Sequence, residues 1–85
     1  MSGETVVVDS ADVWPADAED VEEAVLANWF AREGKRVAAG ETICEIQVEK
    51  VSIDVDAPVA GELVERSVAE GEEFVRGDVL ARIKP

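Results

Sequence analysis

The sequence predicts an all-β domain, a sandwich or barrel of two similar sheets, on three observations. Glycine-centred turn signals recur at short intervals, as they do in all-β sandwiches and barrels. The chain repeats itself at an offset of 37 residues, Leu26–Ile46 lying over Leu63–Ile83. Residues 44–55 alternate apolar and polar, the period of a half-buried strand.

In chain order, Thr5–Val8 reads as a first strand. The segment Asp9–Asp20, "DSADVWPADAED", is acidic, holds Pro15 and has no partner in the second half, so it reads as a surface loop. Trp14 within it is a core cap or a contact for a partner protein. Residues 19–30, "EDVEEAVLANWF", fit a short helix on pattern alone. The repeat argues for a strand, because their counterpart, "GELVERSV", begins with glycine and is valine-rich. Trp29 and Phe30 are expected in core or edge packing.

The repeat supplies the next elements. Glu33-Gly34 falls on Glu70-Gly71, Val37 on Phe74, Gly40-Glu41 on Gly77-Asp78, Ile43 on Leu80 and Ile46 on Ile83. Each half reads as strand, Glu-Gly turn, short apolar touch, Gly-acid turn and strand. Glycine suits such turns because positive φ carries no steric cost for it.

Between the halves, Cys44, Ile46 and Val48 alternate with Glu45, Gln47 and Glu49. After Lys50 the phase changes to Val51, Ile53 and Val55. A two-residue loop at Glu49-Lys50 then sets Val48 opposite Val51, Ile46 opposite Ile53 and Cys44 opposite Val55, all on one face. Gln47 meets Ser52 and Glu45 meets Asp54 on the other. Lys50 therefore stands at a hairpin apex and has no counterpart in either half. Glu-Lys is not a favoured two-residue tip, since neither residue suits positive φ.

Composition narrows the chemistry. Eighty-five residues make one small domain with a formal charge of −12. Such a charge disfavours nucleic acid and anionic membranes as partners. It suits solubility, a basic partner, or a halophile's salty cytoplasm, where self-repulsion is screened. At 47% hydrophobic residues the chain is too apolar for disorder. There is no histidine or tyrosine, and Cys44 is the single cysteine. A self-contained enzyme, a disulfide framework and a zinc site are all hard to build from this list. No signal peptide or membrane span is legible, so a cytoplasmic location is expected. Cys44 falls with the core face.

With Lys50 at the apex of a repeat, the chain resembles the lipoyl domain of 2-oxo acid dehydrogenase complexes, within the biotinyl/lipoyl-attachment family. Gly40-Glu41 matches that family's Gly-acid turn ten residues before the modified lysine, and Pro58-Val59-Ala60-Gly61 matches its Pro-x-Ala-Gly. Glu49-Lys50-Val51 stands where the family usually has Asp-Lys-Ala. Gln47 replaces a frequent glutamate, and residues 9–20 do not match the family's Gly-rich segment beside the lysine.

The resemblance implies a flattened barrel of two four-stranded antiparallel sheets with twofold pseudo-symmetry. The whole of 1–85 forms one domain, with halves at about 21–48 and 58–85 and an attachment hairpin at 44–55. It implies lipoate in amide linkage to Lys50, and a carrier rather than an enzyme, with no catalytic residue and no metal. Glu49, Val51, Gly40 and Gly61 are its implied hairpin and ligase-recognition residues, and Asp12 and Trp14 its implied partner-recognition residues.

The implied partners are a lipoate ligase or octanoyl/lipoyl transferase, a thiamine-dependent 2-oxo acid decarboxylase, an acyltransferase core and a flavin-containing dihydrolipoyl dehydrogenase. The chain is then a free-standing carrier or a piece of a larger acyltransferase. Three readings compete. Biotin carriers share the fold but usually flank the lysine with methionine. The glycine-cleavage carrier is usually longer. An unmodified acidic interaction module of the same fold would use Lys50 only as a solvated turn residue.

Overall fold

A computed structural model describes residues 4–85. Eight strands run in the order β1 (Val6–Asp9), β2 (Glu23–Trp29), β3 (Arg36–Val37), β4 (Thr42–Val48), β5 (Val51–Asp56), β6 (Gly61–Arg66), β7 (Glu73–Val75) and β8 (Val79–Lys84). They form two four-stranded sheets, β1-β8-β6-β3 and β5-β4-β2-β7, and all their strand pairings are antiparallel. Residues 19–30 contain a strand and no helix, as the repeat required. The short apolar touches at Val37 and Phe74 are the short strands β3 and β7.

The 37-residue offset reappears bond for bond. Ala24 pairs with Phe74 as Gly61 pairs with Val37. The Gly34 amide donates to Leu63 O, and the Gly71 amide to Leu26 O, both at 2.7 Å. Glu33 accepts the Arg66 amide and Glu70 the Trp29 amide, both at 2.8 Å. β2 and β6 even carry matching bulges, between Leu26 and Asn28 and between Leu63 and Glu65. Each sheet takes its β3 or β7 edge from the other half. The halves interlock, and neither can close its sheet alone.

Between the sheets lies a core that includes Leu26, Ile43, Ile46, Leu63, Leu80 and Ile83, all fully buried. Ile46 and Ile83 follow the alternation of β4 and β8, in which successive side chains point to opposite faces, whereas Ile43 and Leu80 lie three residues earlier and reach the core where the pairing of β4 with β5 and of β8 with β1 shifts register. The turn glycines Gly34, Gly40, Gly71 and Gly77 have φ between 82° and 101°, a region that costs other residues. Gly61 serves a different purpose. A Cβ there would strike the Lys84 carbonyl oxygen and lie 2.8 Å from Pro85 Cα, so only glycine lets β6 approach the end of β8.

Four expectations need correction. The first strand begins one residue later than expected, at Val6, and runs to Asp9. The segment 9–20 is not simply a surface loop. It forms two 3₁₀ turns, Ser10–Val13 and Ala16–Ala18, and Ser10 is fully buried. The Asp9 carboxylate starts the first turn by accepting the Ala11 amide at 2.8 Å. Phe30, expected to pack, is 56% exposed, because β2 ends at Trp29 and the side chain projects past it. Val51 keeps its register opposite the fully buried Val48 yet is 48% exposed, since it opens β5, the outer strand of its sheet.

Candidate functional site

The β4–β5 pair builds the site. Its observed register, Val48↔Val51, Gln47↔Ser52, Ile46↔Ile53, Glu45↔Asp54 and Cys44↔Val55, is the one the alternation predicts. Val48, Ile46, Cys44 and Val55 are fully buried and anchor the pair to the core. Two residues, Glu49 and Lys50, close the tip, and both are exposed. Glu49 adopts φ 58° and is the one non-glycine residue at positive φ among those described. Burial pushes the Cys44 thiol up to about 12, which removes it as a nucleophile at neutral pH.

The other lysines stand elsewhere. Lys35 Nζ donates to Glu41 Oε2 at 2.9 Å and to Arg36 O at 3.1 Å. That ion pair, with the Ala38 amide, holds the Glu41 carboxyl below its ordinary range. Lys84 ends β8 opposite Glu62. Lys50 joins none of the ion pairs found among the described residues.

Beside Lys50 lies an open groove of about 1020 Å³, walled by the tip on one side and by Asp17, Ala18, Asp20, Val21 and the start of β2 on the other. Asp17, Asp20, Glu22, Glu23, Glu49 and Glu73 line it around the single Lys50 amine. A field of one sign at close range favours a partner that brings positive charge.

The wall is fixed from behind. Ser10 Oγ accepts the Gly77 amide at 2.9 Å, and the Ser10 amide donates to Asp78 O at 3.0 Å. The Trp14 ring meets Phe74 edge-to-face at 6.3 Å, while its indole N–H donates to Ala18 O at 3.0 Å. Trp14 thus caps the core, the first of its two expected roles. The exposed Asp12 lies in the first 3₁₀ turn, and neither it nor Trp14 lines the groove. The wall residues Asp17, Asp20 and Glu22 escaped sequence reasoning. The acidity of 9–20 was a signal for them, but their approach to Lys50 depends on Ser10 and Trp14 contacts with distant strands.

Gly40 and Gly61 do not stand beside Lys50. The Gly40 amide donates to Ala57 O at 2.8 Å at the base of the hairpin. Six strand steps separate Thr42 from Val48, roughly 20 Å at the usual rise. Gly61 opens β6 in the other sheet. Both glycines hold the frame on which the hairpin stands.

No helix of the described residues is long and apolar enough to cross a membrane. No group of histidine, cysteine or carboxylate side chains placed to hold a metal ion occurs among them.

Residues 13–83 match the family described as Biotin-requiring enzyme, the biotin/lipoyl family. The dihydrolipoyllysine-residue succinyltransferase component of the 2-oxoglutarate dehydrogenase complex of Bartonella vinsonii subsp. berkhoffii is 40% identical over 70 residues. The match covers 82% of this chain and 17% of that protein. The dihydrolipoyllysine-residue acetyltransferase component of the pyruvate dehydrogenase complex of Staphylococcus aureus strain Mu50 is 30% identical over 69 residues. That match covers 81% of this chain and 16% of that protein. The chain therefore spans about a sixth of the length of these relatives.

The solution structure of the lipoyl domain of the 2-oxoglutarate dehydrogenase complex from Azotobacter vinelandii superimposes with a TM-score of 0.75 at 25% identity. The match covers 94% of this chain and 96% of that one.

Proposed function

Because the chain belongs to the biotin/lipoyl-attachment family and has the fold of its lipoyl domains, we propose that it is a lipoyl carrier whose attachment point is Lys50. The observation that carries this reading is the place of Lys50, an exposed amine at the apex of a hairpin whose register is fixed on both sides. A modifying enzyme can surround such a tip without disturbing either sheet. Nothing buried has to move, since the anchoring side chains begin at Val48.

The residues present fit the group. Lys50 offers a primary amine for an amide bond, and acylation removes its positive charge. When bound, a lipoyl group supplies a strained dithiolane that accepts an acyl group and electrons. The chain's own contribution is presentation. The buried faces of β4 and β5 hold the root of the arm at a defined place, and tethering gives a high effective concentration at each partner. The acidic groove biases encounters toward enzymes with basic mouths and raises their on-rates.

The partners in this reading are a lipoate ligase or octanoyl/lipoyl transferase, then a thiamine-dependent 2-oxo acid decarboxylase, an acyltransferase core and a dihydrolipoyl dehydrogenase. Relatives serving 2-oxoglutarate and pyruvate complexes both resemble the chain and support this set. The chain acts as a carrier in the cytoplasm and contributes no catalytic residue of its own. Biotin on Lys50 is the second reading, favoured by the family's shared description. It is weakened by the absence of methionine beside Lys50, since the only one is Met1.

Incubation with lipoate, ATP and a lipoate–protein ligase, followed by peptide mapping, tests the proposal. One lipoyl group on Lys50 is expected. Addition at Lys35 or Lys84, or stoichiometric biotinylation by a biotin ligase instead, would overturn it.

A further inference from the structure

Wherever this chain needs a left-handed backbone in a turn of the repeat, it uses glycine, as at Gly34, Gly40, Gly71 and Gly77. One left-handed position breaks the rule. Glu49, at φ 58°, immediately precedes Lys50. A side chain bearing a Cβ is disfavoured there, and glycine would remove the cost. Glu49 is exposed and joins none of the ion pairs among the described residues, so no local contact of that kind explains the exception.

The geometry of the tip gives the exception a use. Val48 and Val51 are paired across the hairpin, so both ends of the turn are clamped. Only the dihedrals of Glu49 and Lys50 remain to set where the lysine side chain leaves the backbone. Glycine at the first position would populate positive and negative φ about equally. A residue with a Cβ, held in the left-handed well by the clamp, has a narrow range around it.

We propose that Glu49 is a positioning residue for Lys50: the conformation its Cβ enforces, rather than its carboxylate, fixes the direction in which the amine is presented. This rests on Lys50 being the attachment point. A tip that presents the amine correctly only part of the time raises the apparent Kd of a modifying enzyme by the inverse of that fraction.

The experiment compares the parent with Glu49→Gly, Glu49→Asn and Glu49→Gln. Three quantities are measured: the melting temperature, the 15N order parameter at Lys50, and the kcat and KM of lipoylation by a lipoate–protein ligase with lipoate and ATP. Glu49→Gln keeps the backbone preference and removes one of the groove's carboxylates, so it should keep the parent's order parameter and raise KM well below the rise seen for Glu49→Gly. Asparagine tolerates the left-handed region and keeps a Cβ, so Glu49→Asn should follow Glu49→Gln rather than Glu49→Gly in order parameter and KM. Glu49→Gly should melt no lower than the parent yet show a lower order parameter and a rise in KM of roughly two- to fivefold, from the loss of one preferred φ well.

That opposition of stability and presentation is what a merely structural role would not produce. A Glu49→Gly variant modified with the parent's KM would overturn the proposal. So would a Glu49→Gln variant impaired as much as Glu49→Gly, since the carboxylate would then be the feature read. A parent that takes lipoate at another lysine, or none, removes the attachment reading itself, and the positioning role with it.

Discussion

Glu33 and Glu70 occupy equivalent places in the two halves, so removing either should cost the same. Each carboxylate accepts a backbone amide of the other half at 2.8 Å, Glu33 from Arg66 and Glu70 from Trp29. Hydrogen bonds to a charged acceptor contribute about 1.5–3 kcal/mol when water is excluded. Both bonds here are exposed, so water can replace the lost acceptor and about 1 kcal/mol is the expected cost of Glu33→Ala or Glu70→Ala. In a domain of this size that lowers the melting temperature by about 4–8 °C.

The two sites are not independent. The Arg66 guanidinium lies 5.5 Å from the Trp29 ring, and Trp29 Nε1 donates to Val68 O at 2.8 Å. Coupling of about 0.5 kcal/mol is therefore expected in the double variant. Glutamine at either site keeps an acceptor oxygen and should recover about half the loss. Urea titrations at constant m-value measure all of this. Single costs differing by more than about 1.5 kcal/mol would refute the energetic equivalence of the halves, since that exceeds the spread expected of matched exposed bonds.

Three further outcomes follow from the same structure. Gly61→Ala drives a Cβ into the Lys84 carbonyl and should cost about 1–3 kcal/mol, a fall of about 4–24 °C; an unaltered melt would mean that the end of β8 moves aside freely. Raising potassium chloride from low to molar concentration shrinks the screening length to about 3 Å and should raise the melting temperature, because Glu45 faces Asp54 across the sheet in a chain of net charge −12; a flat or falling melt would remove that repulsion, and with it the suggestion of a saline cytoplasm. Glu41 is held below its ordinary range by Lys35 and the Ala38 amide, so its contribution is full above the unfolded-state glutamate range and is lost as pH falls through the lower, folded-state value; the melting difference between the parent and Glu41→Gln should shrink with acid, and one that stays constant would show that the ion pair contributes nothing.

What the sequence made legible was what depends on local period. Apolar alternation with a phase change at Lys50 specified the hairpin register, because a one-residue slip would turn Ile46 and Val48 out of the core. The paired Glu-Gly and Gly-acid turns located β3 and β7, since glycine marks where φ must be positive.

The 9–22 segment resisted the same reading because its conformation is set at long range. Ser10 bonds to Gly77, and Trp14 finds its apolar partner in Phe74. Neither has a periodic neighbour to announce it. Phe30 and Val51 look like core residues by type and lie outside it because Phe30 falls just past the end of β2 and Val51 opens the outer strand β5. Lys50 was found as an apex residue, but the left-handed Glu49 before it was not. A clamped two-residue turn can impose a conformation that the residue type disfavours.

Whether Lys50 carries lipoate is read from the intact mass of the protein purified from its native host, with peptide mapping of the modified residue. An added mass equal to one lipoyl group, placed on Lys50, is expected. Protein that carries biotin at Lys50, or that stays unmodified while its host's dehydrogenase complexes are fully active, would contradict it.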